Sequence, residues 1–288
     1  MPETPLKRIG IILTKDHQGT IEFAKHIVGW LREHGCKVYA DREDASALGL
    51  APSAAEDIYG SADFLVCLGG DGTMLWAAKS ARYGKPLLGI NLGYLGYLTD
   101  ADRLHAFSSL ENMLAGRYEI ERRMMLEVAG LGQLGLALND VCVTRGAFSK
   151  LIEMGLYING EYIDTYRADG IIVCTPTGST AYNLSAGGPI LKPDVEMMAV
   201  TPICAHKIYS RAIVISAEDV VTLKIAGGYK GECMLALDGR HNRSLNAGEE
   251  VTIRRSEHYT DIVKTNKMSF FDILRQKMIA PERGEVPH

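Results

Sequence analysis

A chain of 288 residues with 47% hydrophobic and 23% charged residues has the length for two domains and the balance of an ordinary globular protein. Its net charge of −4 excludes the electrostatic footprint of a nucleic-acid binder. No apolar stretch reaches the ~20 residues of a membrane helix. The cysteines (Cys36, Cys67, Cys142, Cys174, Cys204 and Cys233) form no CxxC or CxC pair, so neither a zinc site nor a redox pair is expected. Free cysteines inside apolar runs fit a reducing compartment, and MPETPLKRIGIILT lacks the apolar core of a signal peptide. The expectation is a cytoplasmic protein.

Residues 9–13 form a short apolar run between Arg8 and Lys15 and read as a buried parallel strand. From Thr20, a plausible N-cap, Ala24, Ile27, Val28 and Leu31 recur at helical spacing until Gly35. Residues 38–40 are a second strand. Residues 41–60 are acidic, Ala-rich and broken by Pro52, and read as loop with a weak helix. Phe64–Leu68 is an all-apolar strand that runs straight into Gly69, Gly70, Asp71, Gly72 and Thr73, with a helix expected from Met74. Glycine lets the backbone come close to a ligand, and the first N–H groups of a helix suit an anion. Asp71 at the tip is placed to accept a proton from an attacking hydroxyl or to hold a metal ion. The plainer alternative is an Asp-Gly turn with Thr73 as N-cap. Residues 87–90 are a further strand, and this alternation argues an open parallel sheet. The stretch NLGYLGYLTD, residues 91–100, follows a strand end, where such sheets keep their ligand crevice. Its glycines and tyrosines suit a flat ligand, and equally an ordinary loop. Residues 101–115 read as a helix with Leu104, Phe107, Leu110 and Leu114 on one stripe and Gly116 as the stop.

After Tyr118 the pattern changes to short β-like runs. Asn159-Gly160 between residues 156–158 and 161–163 is a hairpin signal. Further runs at 171–174, 212–215, 220–225, 234–237 and 251–254 indicate a mostly β domain. Ser269 is positioned to cap a last helix carrying Phe270, Ile273, Leu274 and Met278, expected to pack back on the first domain, with a frayed tail from Pro281. The expected division is an α/β domain at 1–118, a β-rich domain at 119–268 and the returning helix and tail at 269–288.

Two more constellations carry chemistry. Asn139-Asp140 places an amide and a carboxylate between apolar runs, suited to adenine and a ribose hydroxyl, or to a simple bulge. Residues 167–191, RADGIIVCTPTGSTAYNLSAGGPIL, hold Thr175, Thr177, Ser179, Thr180, Asn183 and Ser185 close together, with Tyr182 for stacking. Neutral donors in such number suit sugar hydroxyls and phosphate oxygens.

GGDGT at 69–73, Asn91 with GYLGYLTD after it, Asn139-Asp140, the run from Arg167 to Leu191, TPICAHKIYSRAIVI at 201–215, LDGR at 237–240 and FFDILRQK near the C-terminus together resemble the NAD kinase family. The resemblance spans nearly the whole chain in order. GGDGT alone also occurs in lipid kinases; TPTGSTAYNLSAGGPI is far more specific. The resemblance implies an ATP-dependent kinase that phosphorylates the 2′-hydroxyl of the adenosine ribose of NAD to give NADP. Asp71 matches the catalytic base, and Gly70, Gly72 and Thr73 match the phosphate-facing loop. Asn91 and Tyr97 follow it as substrate-binding positions. Asn139 and Asp140 match the pair that binds the dinucleotide. Asp169, Thr180, Ala181, Tyr182, Asn183 and Ser185 match positions around its adenine, ribose and nicotinamide ends. Arg167 matches a position whose arginine accompanies a preference for NAD over NADH. Tyr97 replaces a common Phe, Ala205 a common Pro and Arg240 a common Gln, which leaves the LDGR contact open. ATP implies Mg²⁺ or another divalent cation, held largely by phosphates and water, with no metal-ligating residues expected from the protein. A homodimer or homotetramer is implied, with neither nucleic acid nor membrane as partner. The alternatives are a lipid kinase on the same glycine turn and a non-catalytic NAD(P) sensor.

Overall fold

The computed structural model describes residues 7–14, 18–93, 96–129, 135–146, 150–207 and 209–279. The chain forms two compact units: residues up to Glu121 together with those from Asp261, and Arg122–Thr260.

The first unit starts with β1 (Arg8–Leu13), α1 (Gln18–Glu33), β2 (Lys37–Ala40), α2 (Arg42–Leu48), α3 (Ala55–Ser61), β3 (Phe64–Leu68), α4 (Asp71–Ala78), β4 (Leu87–Asn91), β5 (Ala101–Asp102) and α5 (Ala106–Leu114). The strands lie parallel in the order β4–β3–β1–β2. Every residue of β3 and β4 is buried, as a parallel sheet covered on both faces requires. Phe23, Ala24, Ile27, Val28 and Leu31 of α1 share one core with Ile9, Ile11, Val66, Leu68, Leu88 and Ile90 of the sheet.

Two expectations change here. Residues 41–60 hold two helices rather than one weak one. Asp41 caps α2, its Oδ1 accepting the Asp44 N–H at 2.9 Å, and Gly49 closes it in the left-handed conformation. The helix expected over 101–115 begins only at Ala106. Ala101 and Asp102 pair with Ile90 and Asn91 as a strand, and the Asp102 carboxylate then accepts the His105 N–H at 3.0 Å to turn the chain. Leu104, placed on the apolar stripe by its spacing, is 88% exposed; Ala106, Ser109, Leu110 and Met113 are the residues turned inward.

The second unit takes up the chain within β6 (Glu119–Ala129). There follow β7 (Gly135–Ala137), β8 (Asp140–Arg145), β9 (Ile152–Ile158), β10 (Glu161–Ala168), β11 (Gly170–Cys174), α6 (Tyr182–Ser185), β12 (Met197–Ile203), β13 (Ile213–Ser216), β14 (Val221–Ile225), β15 (Cys233–Leu237), β16 (Arg240–Leu245) and β17 (Glu250–Lys264). One antiparallel sheet runs β13–β12–β11–β8–β15–β16; in the other, β10, β9, β14 and β17 are successive neighbours. Alternate residues of both sheets, among them Val141, Val143, Ile171, Val173, Met154, Leu156, Val221 and Leu223, enter one core. Asn159 and Gly160 turn the β9–β10 hairpin with φ of 52° and 82°.

β17 is far longer than the run at 251–254. Its polar middle is held by ion pairs that apolar patterning does not reveal: Arg254 Nε to Glu127 Oε1 at 2.5 Å and Arg255 to Glu196 at 3.1 Å. The chain re-enters the first unit inside this strand, where Ile262 pairs with Leu87 of β4. The last helix, α7 (Phe270–Ile279), opens with a reciprocal cap. Ser269 Oγ accepts the Asp272 N–H at 3.2 Å, and Asp272 Oδ2 accepts the Ser269 N–H at 3.1 Å. It packs on the first unit as expected, the Phe270 ring 6.4 Å from that of Tyr97. The tail from Pro281 lies outside the described residues. No described helix is long and apolar enough to cross a membrane.

Candidate active site

In the first unit the site is built where β3 stops. Gly69 donates to Ile90 O at 3.0 Å, which ties the strand end to β4. Gly70 is extended and stands as N-cap, so α4 starts at Asp71, three residues before the expected Met74. Thr73 is therefore not the cap; it is buried in the first turn, its N–H bonded to Gly70 O at 3.0 Å. Asp71 is half-buried at the helix start. Its Oδ2 accepts the Tyr97 N–H at 2.9 Å and its Oδ1 the Leu98 N–H at 3.0 Å. A Cβ on Gly96 would lie 1.9 Å from Asp71 Oδ1, so only glycine lets the 96–98 segment close over the carboxylate. A carboxylate offers about four lone-pair directions, and two backbone donors leave it able to accept a further hydrogen bond. Asn91, buried at the end of β4, folds its own loop by accepting the Gly93 N–H at 2.8 Å. Tyr97 is half-buried beneath α7, with Lys277 Nζ 4.9 Å from its ring centre; burial and the charge of Asp71 push its hydroxyl pKa up. Gly70, Asp71, Gly72, Thr73, Asn91 and Tyr97 are thus brought together. Tyr94 and Leu95 of the same stretch lie outside the described residues.

In the second unit Asn139 and Asp140 form a corner at the start of β8. Asp140 is buried, and its Oδ1 receives the Cys142 thiol at 3.3 Å. Burial, together with the negative charge of Asp238 and opposed by the thiol, pushes the Asp140 carboxyl up to about 6. In the long polar run most hydroxyls are bonded within the protein. Thr175 Oγ1 donates to Leu138 O at 2.6 Å, Ser179 Oγ to Pro176 O at 2.6 Å and Thr180 Oγ1 to Thr177 O at 3.3 Å. Asn183, expected among the dinucleotide contacts, is fully buried. Its amide donates to Ser179 O at 3.1 Å and Pro189 O at 3.0 Å and accepts from Thr201 Oγ1 at 2.6 Å. A short Ser/Thr-rich loop cannot be held by backbone bonds alone, so these side chains supply the missing partners. What the loop leaves outward is Tyr182, 45% exposed, and Ser185; Ala181 is half-buried.

Asp169 pairs with Arg145, Oδ1 to Nε at 2.5 Å. Arg167 is exposed on β10 and lines a cavity of about 850 Å³ with Lys150, Glu153, Tyr229 and Lys230. That cavity includes neither Asp169 nor Tyr182. Arg240 is exposed and follows the Asp238-Gly239 turn. Asp238 itself was not singled out from the sequence. Its carboxylate accepts three backbone N–H groups, from Leu138 at 3.0 Å, Asn139 at 2.7 Å and Asp140 at 3.2 Å. The available signals were its place in the LDGR segment of the resemblance and an Asp-Gly pair after an apolar run, which by itself reads as an ordinary turn. Among the described residues no group of three or more His, Cys, Asp or Glu side chains is arranged to hold a metal ion. The six cysteines are free, Cys204 exposed and the others buried.

A parallel α/β unit with a carboxylate fixed at a strand–glycine–helix junction and an antiparallel β unit with a braced Asn-Asp corner together define a two-unit fold of the GGDGT class. Residues 9–118 match the model of the ATP-NAD kinase N-terminal domain, and residues 138–265 that of the ATP-NAD kinase C-terminal domain. The chain belongs to the NAD kinase family. It is 43% identical over 282 residues to the NAD kinase of Caldanaerobacter subterraneus subsp. tengcongensis, covering 95% of this chain and 99% of that protein. With the NAD kinase of Syntrophotalea carbinolica the identity is 38% over 288 residues, covering 96% and 100%. The crystal structure of yeast NADH kinase complexed with NADH superposes with a TM-score of 0.86 at 25% identity, over 98% of this chain and 89% of that one. An NAD kinase from Archaeoglobus fulgidus in complex with ATP gives a TM-score of 0.77 at 27% identity, over 94% and 98%.

Proposed function

We infer that this protein is an ATP-dependent kinase that transfers the γ-phosphoryl group of ATP to the 2′-hydroxyl of the adenosine ribose of NAD, giving NADP and ADP. The observation that carries the reading is Asp71, held by the Tyr97 and Leu98 N–H groups at 2.9 and 3.0 Å with lone pairs to spare. Asp71 takes the hydroxyl proton as the ribose oxygen attacks phosphorus and ADP leaves with the bridging oxygen. Phosphoryl transfer asks chiefly for positioning and charge compensation. Gly70 and Gly72 present open backbone to phosphate oxygens at the start of α4, and Thr73, Asn91 and Tyr97 keep that loop and its surroundings in place. Mg²⁺ accompanies ATP and neutralises phosphate charge. When bound, it would be held largely by the phosphates of ATP and by water.

Asn139 and Asp140 hold the dinucleotide. An Asp140 carboxyl with a pKa of about 6 is largely ionised at neutral pH and accepts from a ribose hydroxyl. Tyr182 offers a face for stacking; Ala181 and Ser185 flank it, while Thr180 and Asn183 support it from within. Asp169, Arg167 and Arg240 contribute charged groups for the rest of NAD, with Arg167 favouring the oxidised form. The protein works in the cytoplasm as a homodimer or homotetramer. Purified protein supplied with ATP, Mg²⁺ and either NAD or NADH, with NADP(H) read by a coupled dehydrogenase, tests the reading. NADP from NAD is expected; no product from either dinucleotide contradicts it, and equal use of NADH removes the role given to Arg167.

A further inference from the structure

The corner at 138–140 is not held by its own strand. The Leu138, Asn139 and Asp140 N–H groups all go to the Asp238 carboxylate, from a residue roughly a hundred positions away. On the carbonyl side, Leu138 O accepts from Thr175 Oγ1 at 2.6 Å, Asn139 O from Thr175 N–H at 2.9 Å and Asp140 O from Asp238 N–H at 2.9 Å. Every backbone polar group of these three residues is therefore tied to Asp238 or Thr175. A turn alone does not need this. Asp238 and Gly239 have φ of 49° and 70°, a conformation that asparagine fills as well as aspartate. What asparagine cannot supply is two acceptor oxygens. Asp238 uses both, Oδ2 for Leu138 and Oδ1 for Asn139 and Asp140.

We propose that Asp238 is a positioning residue for the dinucleotide: its carboxylate gathers three N–H groups onto one point and so fixes where the Asn139 amide and the Asp140 carboxylate stand. The proposal rests on the reading that Asn139 and Asp140 bind NAD. Asp238 also sets the charge around Asp140. The other titratable groups that face Asp140 are Cys142 on β8, Cys174 on the paired strand β11 and Tyr182 on α6; the thiols are buried and neutral, which leaves Asp238 as the negative neighbour.

The test is Asp238→Asn in the full-length protein, with Asp219→Asn as control. Asp219 makes a comparable turn staple, to Asn159 Nδ2 at 2.7 Å and the Ser216 N–H at 2.9 Å. Lost bonds to a charged acceptor predict a rise of roughly ten- to hundred-fold in KM and directly measured Kd for NAD. The KM for ATP stays within about two-fold, the expectation for a residue that acts through the Asn-Asp corner alone. The acid limb of kcat/KM for NAD also moves to lower pH, because removing the Asp238 charge eases ionisation of Asp140. An unchanged Kd for NAD, or a KM for ATP that rises in step with that for NAD, overturns the proposal. If Asp238→Asn fails to fold, Thr175→Val loosens the same corner from the carbonyl side, and an unchanged Kd for NAD there overturns it equally. Wild-type protein that binds NAD without forming NADP contradicts the kinase reading instead, and leaves the comparison of Kd values to decide this one.

Discussion

The glycine turn at 69–73 and the hydroxyl-rich loop at 175–185 both look like ligand-binding stretches, yet they are built in opposite ways. At the first, the backbone does the shaping and one side chain, Asp71, is presented from a helix start with capacity to spare. At the second, most side chains are consumed. Thr175, Ser179 and Asn183 are fully buried and bonded within the protein, and Tyr182 and Ser185 are what the loop shows outward. A polar loop is polar for two reasons, contact with a ligand and replacement of missing backbone partners, and only the burial of each side chain separates them.

The sharpest way to break that contrast is Asp71→Asn. Loss of a positioned base is expected to lower kcat by roughly 10²–10⁴-fold. The asparagine still accepts one backbone N–H, so the melting temperature should fall by no more than a few degrees, read in parallel by calorimetry. Asn183→Leu should do the reverse. It strands Ser179 O, Pro189 O and the Thr201 hydroxyl in a buried site, and about 3 kcal/mol of stability is expected to go in urea unfolding. Wild-type kcat per folded molecule in that variant, at permissive temperature, confirms a brace; a selective rise in KM for NAD with stability intact makes Asn183 a contact after all.

Asp140 sharpens the comparison through pH. Its carboxyl is raised from the ordinary range near 4 to about 6, so ionising it works against the fold. The protein is expected to lose stability from this group as pH climbs through about 4 to 6, while kcat/KM for NAD rises over the upper part of that window. Asp140→Asn should therefore gain on the order of 2 kcal/mol relative to wild type at about pH 8, with the gain gone below about pH 4. Equal denaturant midpoints for the two proteins at both pH values would show that the carboxyl titrates normally. The smallest effect is expected at Gly72, which is exposed with open space where a Cβ would stand. Gly72→Ala should fold normally and change the KM for ATP more than that for NAD.

Much of this was legible beforehand where local pattern and final structure agree. The strand Phe64–Leu68 falls at the residues its apolar run marks, bounded by Asp63 and Gly69. The Asn159-Gly160 hairpin and the Ser269 cap follow from turn and capping chemistry that acts over a few residues. The start of α4 was less legible, because Asp71, Gly72 and Thr73 read as a turn by composition and only the extended Gly70 makes them a first helical turn. The middle of β17 was hidden by arginines and glutamates whose partners lie on other strands. The bracing role of Asp238, within the LDGR segment, was hidden for the same reason in stronger form: it is defined by three N–H groups about a hundred residues upstream. Asn183 stood out in the sequence as a polar residue of the loop, but its burial was not legible, since an amide in a polar loop gives no sign of which way it faces.

The most direct measurement is the transfer itself. Purified wild-type and Asp71→Asn proteins would be incubated with [γ-³²P]ATP, Mg²⁺ and NAD, and the label followed into NADP. The account predicts label on the 2′-position with wild type, and at most about a hundredth of that rate with the variant. Label transferred by both proteins at similar rates, or by neither while NAD is bound, would contradict it.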